Sequence, residues 1–205
     1  SIFARIAEAA PLAIAAWRMG LAALVMIPVA LAGRPGVEPV EPRYAILAAA
    51  AGLFLALHFA TWIASLDYTT IARSVLLVST APIWVAILQF VGGKGTPPLR
   101  TVLALLFAVG GVVTASAGRA WRGGMLTGDL LAVAGAIAMA SYLLLSRQAQ
   151  SRLPFRRYLA IAYGSAAAVL WIAVAMTDTT AGGFTAATWW ALAGMAAISQ
   201  LIGHS

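Results

Sequence analysis

The run from Tyr44 to Leu66, YAILAAAAGLFLALHFATWIASL, decides how this chain is to be read. It carries no Asp, Glu, Lys or Arg from end to end, and a helix crossing the hydrocarbon core of a bilayer needs about 20 mostly apolar residues. Comparable runs recur at Leu12–Ala32, Ser74–Gly92, Thr101–Gly118, Leu130–Ser146 and Tyr158–Thr177, and from Thr188 to the end. Ser1–Glu8 reads as the last turns of an earlier helix. Short connections rich in Gly, Pro and charge separate the runs, among them Gly33-Arg34-Pro35-Gly36 and Gly92-Gly93-Lys94-Gly95. Spans that recur along the whole chain do not read as a removable signal peptide. Continuous Ala/Leu-rich runs do not fit the ten-residue alternation of a membrane barrel. The expected fold is therefore all-α and integral to the membrane, a polytopic bundle of eight segments.

Composition agrees. Of 205 residues, 62% are hydrophobic and 9% charged, whereas soluble domains carry about 25% charged residues. This excludes a soluble enzyme and a disordered chain. A net charge of +7 would suggest nucleic acid in a soluble protein; in a membrane protein it sets orientation, so the expected partner is the lipid bilayer and not nucleic acid. With no Cys, disulfides, thiol nucleophiles and thiolate metal sites are ruled out.

Sorting charge by alternate loops gives the orientation. Arg34, Arg43, Lys94, Arg100, Arg147, Arg152, Arg156 and Arg157 fall on one side, while Arg5, Arg73, Arg119 and Arg122 fall on the other. The positive-inside bias places the first set in the cytoplasm. Glu8, Asp67, Asp129 and Asp178 lie near the opposite face.

The chain also hints at an internal repeat. Leu12-Ala13-Ile14-Ala15 opens one span and Leu159-Ala160-Ile161-Ala162 opens another five spans later. His58 and His204, the only two histidines, lie at nearly the same offset. An odd number of spans between equivalents gives halves of opposite topology, as in many carriers; short Ala-rich matches also arise by chance. Opening at Ser1 and stopping inside an apolar run, the sequence is expected to be truncated at both ends. On the repeat reading about 60 residues with two more helices would follow Ser205.

Ionisable groups inside a span cost about 2.5–3.5 kcal/mol each at the helix centre and are functional candidates by default. Here they are Arg18, His58 and His204. Thr61, Trp62 and Ser65 follow His58 at i+3, i+4 and i+7, one polar and aromatic stripe on a single helix face. Such a stripe either lines a water-filled cavity or serves helix packing, with His58 in an interhelical hydrogen bond. Arg18 lies near the outer face, where its stem could snorkel as an anchor or reach an outer-side acid. Pro82 falls in the middle of its span, where it removes a backbone hydrogen bond and bends the chain; Ser79, Thr80 and Trp84 flank it. Gly110, Thr114 and Gly118 form a ridge of small residues suited to close helix packing. Tyr142, beside Ser141, sits late in its span, where an interfacial aromatic is the plain reading.

Enzymatic signatures are missing. His204 and Ser205 are adjacent and point about 100° apart on a helix. No Gly-x-Ser-x-Gly elbow, P-loop, clustered metal-ligand set or potassium-type filter is present. No cofactor or metal is expected. What remains is a carrier for a small solute.

The stretch Leu57-His58-Phe59-Ala60-Thr61-Trp62-Ile63-Ala64-Ser65-Leu66-Asp67-Tyr68-Thr69, running into the Pro82-containing span and preceded by Ala16-Trp17-Arg18, resembles the EamA-type branch of the drug/metabolite transporter superfamily. The resemblance covers the whole chain and is most specific around residues 57–84. It implies two inverted five-helix halves, here 1–118 and 128–205, the second lacking its last two helices. It also implies cytoplasmic termini and a central cavity. It places His58, Trp62, Ser65, Pro82, Tyr142 and His204 as substrate-binding candidates. The expected function is export of a small metabolite such as an amino acid across a bacterial-type inner membrane by alternating access, with a homodimer as a further expectation. With no carboxylate deep in a span, any proton coupling would rest on His58 or His204. Two rival classes are a membrane enzyme using His58, with Ser65 or Thr61 as its nucleophile, and a structural membrane subunit that transports nothing.

Overall fold

The computed structural model describes residues 9–32, 41–93, 95, 98–116 and 126–196. Among the described residues every regular element is helical. In chain order these are α1 (Pro11–Leu31), α2 (Pro42–Ser65), α3 (Ile71–Val78), α4 (Ala81–Val91), α5 (Leu99–Ser116), α6 (Leu126–Gln150), α7 (Phe155–Ala175) and α8 (Ala186–Gly194). Among the described residues five stretches are long and apolar enough to cross a membrane: α1, α2, the pair α3 and α4 as Ile71–Val91, α6 and α7. The shortest has 21 residues, about 31 Å of helix at 1.5 Å per residue. The expected all-α polytopic bundle is the observed fold.

Boundaries differ from the hydropathy reading where charge closes a helix. α6 runs past the expected 130–146 at both ends, with Asp129 in its first turn and Arg147 in its last. A carboxylate at the positive end of the helix dipole and a guanidinium at the negative end both favour the helix, although neither contributes hydropathy. α8 starts just before Thr188, because Thr185 caps it by accepting from the Thr188 N–H at 3.3 Å. Ser1–Glu8, the loop 33–40, Gly118 and His204 lie outside the described residues.

The span containing Pro82 breaks in two. The break falls at Ser79-Thr80, ahead of the proline, and Pro82 sits in the first turn of α4. Lacking an N–H, Pro82 cannot close the bond to the Val78 carbonyl, and its fixed φ suits the start of a helix better than its middle. The Thr80 N–H turns to the Leu77 carbonyl at 3.1 Å and the Ile83 N–H to the Thr80 carbonyl at 2.8 Å. Side chains supply the rest: Ser79 donates to the Val75 carbonyl at 2.7 Å, Thr80 to that of Leu77 at 2.6 Å. Irregular backbone at membrane depth needs such local partners.

The chain divides into two compact units. One comprises the chain up to Ala56 together with everything from Leu145 on; the other runs from Leu57 to Leu144. In the first, α1 and α7 pack antiparallel, Gly20 lying beside Trp171 and Ile27 beside Gly164. Small residues are buried on both helices, Ala13, Ala15, Ala16 and Ala22 on α1 and Ala162 and Ala166 on α7. In lipid, apolar surface gains little by leaving the acyl chains, so close van der Waals contact has to hold helices together. α2 approaches α7 most closely at Gly52, and Ser165 donates to the Ala49 carbonyl at 3.2 Å.

One end of this unit is closed by aromatic rings. Trp17 stands edge-on between Trp171 and Trp189, with centroids 5.0 and 4.7 Å away, and its indole N–H donates to the Ala181 carbonyl at 2.9 Å. Arg18, expected to snorkel outward, is 3% exposed. It shares the face of α1 that carries Ile14 and Ala22, both buried, so its stem lies within the helix packing. The ridge at Gly110 and Thr114 also departs from expectation. A methyl group at Gly110 would meet nothing within 4 Å, and the Thr114 hydroxyl bonds back to the Gly110 carbonyl at 2.9 Å.

A Cβ at Gly52 would lie 2.0 Å from Ser165 Oγ and 2.2 Å from the Ala162 carbonyl oxygen. Gly52→Ala is therefore expected to destabilise the protein by about 2–3 kcal/mol. Gly110→Ala, in open space, should leave stability unchanged or slightly raised. Thermal unfolding of the purified protein in detergent checks both.

Candidate functional site

The unit from Leu57 to Leu144 holds His58, Trp62, Ser65, Pro82 and Tyr142. Its frame is set by how α6 meets the end of α2. At Gly128, a Cβ would lie 2.7 Å from Thr69 Cβ and 2.8 Å from Thr69 N, so only glycine lets the first turn of α6 lie against the turn after α2. The next residue, Asp129, accepts from the Thr69 hydroxyl at 3.3 Å and forms a salt bridge with Arg73. Both charged side chains are largely buried, which makes their pairing matter more than it would at a wet surface.

Seven residues on, Gly135 repeats the close approach. A Cβ there would come within 3.1 Å of Thr61 Oγ1, and within 3.5 Å of both the His58 carbonyl oxygen and Trp62 Cβ. The contact exposes the Gly135 carbonyl to the imidazole: His58, 3% exposed, lies with Nδ1 2.9 Å from that oxygen. A carbonyl only accepts, so Nδ1 carries the proton and in the neutral ring Nε2 is the acceptor nitrogen. The interhelical hydrogen bond weighed as the plain reading of His58 is thus present. It fixes the ring's orientation and leaves the second nitrogen's chemistry to be set by surroundings.

Aromatic rings complete the group. Trp62 stacks on His58 with a 5.7 Å centroid separation and a 22° tilt, and Phe59 lies 4.8 Å from His58 and 6.4 Å from Trp62. The indole Nε1 of Trp62 is buried and has no acceptor among the described residues. A buried donor left without a partner costs about 1–3 kcal/mol. The hydroxyls of the stripe are engaged by their own helix: Thr61 donates to the Leu57 carbonyl at 2.7 Å and Ser65 to that of Trp62 at 2.6 Å. Ser65 also meets Ser74 Oγ at 2.6 Å, both residues fully buried, which ties the end of α2 to α3.

The remaining candidates spread away from this group. Tyr142 is 5% exposed and lies on the face of α6 that carries Gly135, two turns further on. α6 continues beyond it to Gln150. Pro82 is exposed, with its role in the break described above. Trp84 reaches back to that break, its indole N–H donating to Thr80 Oγ1 at 3.3 Å. What sequence reading missed is Gly135. It stands in an Ala-rich helix, and a carbonyl acceptor has no sequence signature.

Gly135→Ala is expected to push α6 back by a few tenths of an ångström, lengthening the His58 bond and lowering stability by about 1–2 kcal/mol. Thermal unfolding measures the loss, and the imidazole proton signal of His58 should move with it. The same change at Gly110 leaves that signal in place.

Comparison with known proteins bears on the whole chain. No curated protein matches it in sequence. A solved crystal structure of a protein 20% identical superposes with a TM-score of 0.69, covering 93% of this chain and 67% of the other; at that identity the likeness concerns the fold. The family model described as the EamA-like transporter family matches residues 1–117. With its several membrane-crossing helices, this chain is a multi-pass membrane protein that belongs to the EamA-like transporter family.

Proposed function

We propose that this protein is a secondary carrier that exports a small metabolite, such as an amino acid, by alternating access between two inverted halves, 1–118 and 128–205. The observation that carries the reading is the stack of buried His58 on half-buried Trp62 within a membrane-crossing helix of a transporter family. An imidazole and an indole beside one another offer an uncharged, aromatic surface with two polar nitrogens. That suits a solute with an apolar body and few charges better than a dianion or a polyamine. On this reading Tyr142 and the broken α3–α4 span contribute to the same cavity, with His204 as the counterpart of His58. The protein resides in a bacterial-type inner membrane with its arginine-rich loops in the cytoplasm, and a homodimer is compatible with this arrangement.

An enzymatic role for His58 has less support. Its nearby hydroxyls, Thr61 and Ser65, donate to backbone carbonyls, whereas a nucleophile has to present its proton to the base. No observation favours a purely structural subunit.

The test is efflux from cells expressing the full reading frame and loaded with a panel of amino acids and related metabolites. At matched expression, His58→Asn and Trp62→Ala run beside the wild type. One solute should leave faster with the wild type, and both variants should slow it at least about tenfold, the equivalent of losing one good hydrogen bond or stack. Wild-type rates in both variants would remove His58 and Trp62 from the site.

A further inference from the structure

The indole N–H of Trp62 is a donor with no acceptor among the described residues. Buried donors are nearly always satisfied, yet no group among the described residues accepts from this one. His58 Nδ1 is held by the Gly135 carbonyl, the Thr61 hydroxyl by the Leu57 carbonyl, and the Ser65 hydroxyl by the Trp62 carbonyl and Ser74. The ring cannot easily turn to find a partner of its own. One face lies on His58, Phe59 stands beside it, and its Cβ backs onto the surface that only a glycine at 135 leaves open. Trp84, another indole of this unit, shows the contrast, since its N–H donates to Thr80 Oγ1.

We infer that Trp62 Nε1–H is the hydrogen-bond donor that selects the transported solute, by taking a carboxylate or carbonyl oxygen of that solute. The inference rests on the transport reading above and deepens it by naming the group recognised. An indole N–H only donates, so its complement is an oxygen with a lone pair to give. A solute that brings such an oxygen satisfies a donor already desolvated by the protein. An analogue without it leaves the donor as it stands and gains nothing there. Phe59 and His58 then act as positioning residues, holding the plane of the indole.

The test uses the full chain in lipid nanodiscs with its tryptophans labelled at the indole nitrogen. The spectrum of Trp62→Phe, which keeps a ring on His58 and lacks the N–H, identifies the Trp62 signal by its loss. The probes are amino acids, each paired with the amine in which hydrogen replaces the carboxylate. The expected result is that an exported acid moves the Trp62 proton signal downfield while its paired amine leaves it in place. In cells, Trp62→Phe should slow export of that acid about tenfold and lower the ratio of acid to amine export by about the same factor. If the wild type exports an acid whose binding does not move the signal, or if Trp62→Phe exports it at the wild-type rate, the inference is overturned while the transport reading stands. If the wild type exports none of the probes, the transport reading falls and takes the inference with it.

Discussion

The arrangement between Leu57 and Leu144 depends on how closely α6 can lie against the end of α2. Two glycines one heptad apart, Gly128 and Gly135, set that distance, and at both a Cβ would run into the neighbouring chain. The consequence is chemical as well as steric. Only at this separation can a backbone carbonyl of α6 reach an imidazole on α2, and only then is His58 held in one tautomer with its ring parallel to Trp62. The Arg73–Asp129 pair secures the same contact from one end and the Ser65–Ser74 pair joins the adjoining span to it.

Lipid imposes the second constraint. Every backbone polar group in a span needs an internal partner, and the α3–α4 span breaks this regularity at Ser79-Thr80. Two hydroxyls and one indole gather at the break and take up local acceptors and donors. A break stabilised by short side chains can rearrange without exposing bare backbone to acyl chains.

Polarity inside this protein is sparing, and each instance has a distinct physical status. Arg73 and Asp129 neutralise each other at the end of a helix, with the carboxylate in the favourable first turn of α6. His58 is anchored by the Gly135 carbonyl. Trp62 retains a donor without an acceptor among the described residues. The first is a structural clamp, the second an interhelical anchor, and the third a donor that the described residues leave unmatched.

Hydropathy alone determined the fold class and the rough limits of the five crossing helices found among the described residues, because a bilayer tests length and apolarity one segment at a time and both are local. It also singled out His58, since an imidazole in an apolar run is costly wherever it points. Helix ends were less legible: α6 outran its apolar core because charges at its ends act through the helix dipole, which hydropathy ignores. The position of the break was legible only in part, as Pro82 marked the region while Ser79 and Thr80 decided where the bonds shift. The partner of His58 and the burial of Arg18 were not legible at all. One rests on a carbonyl 77 residues away and the other on which face of α1 meets α7. These are relations between helices, and a sequence records only what lies along one.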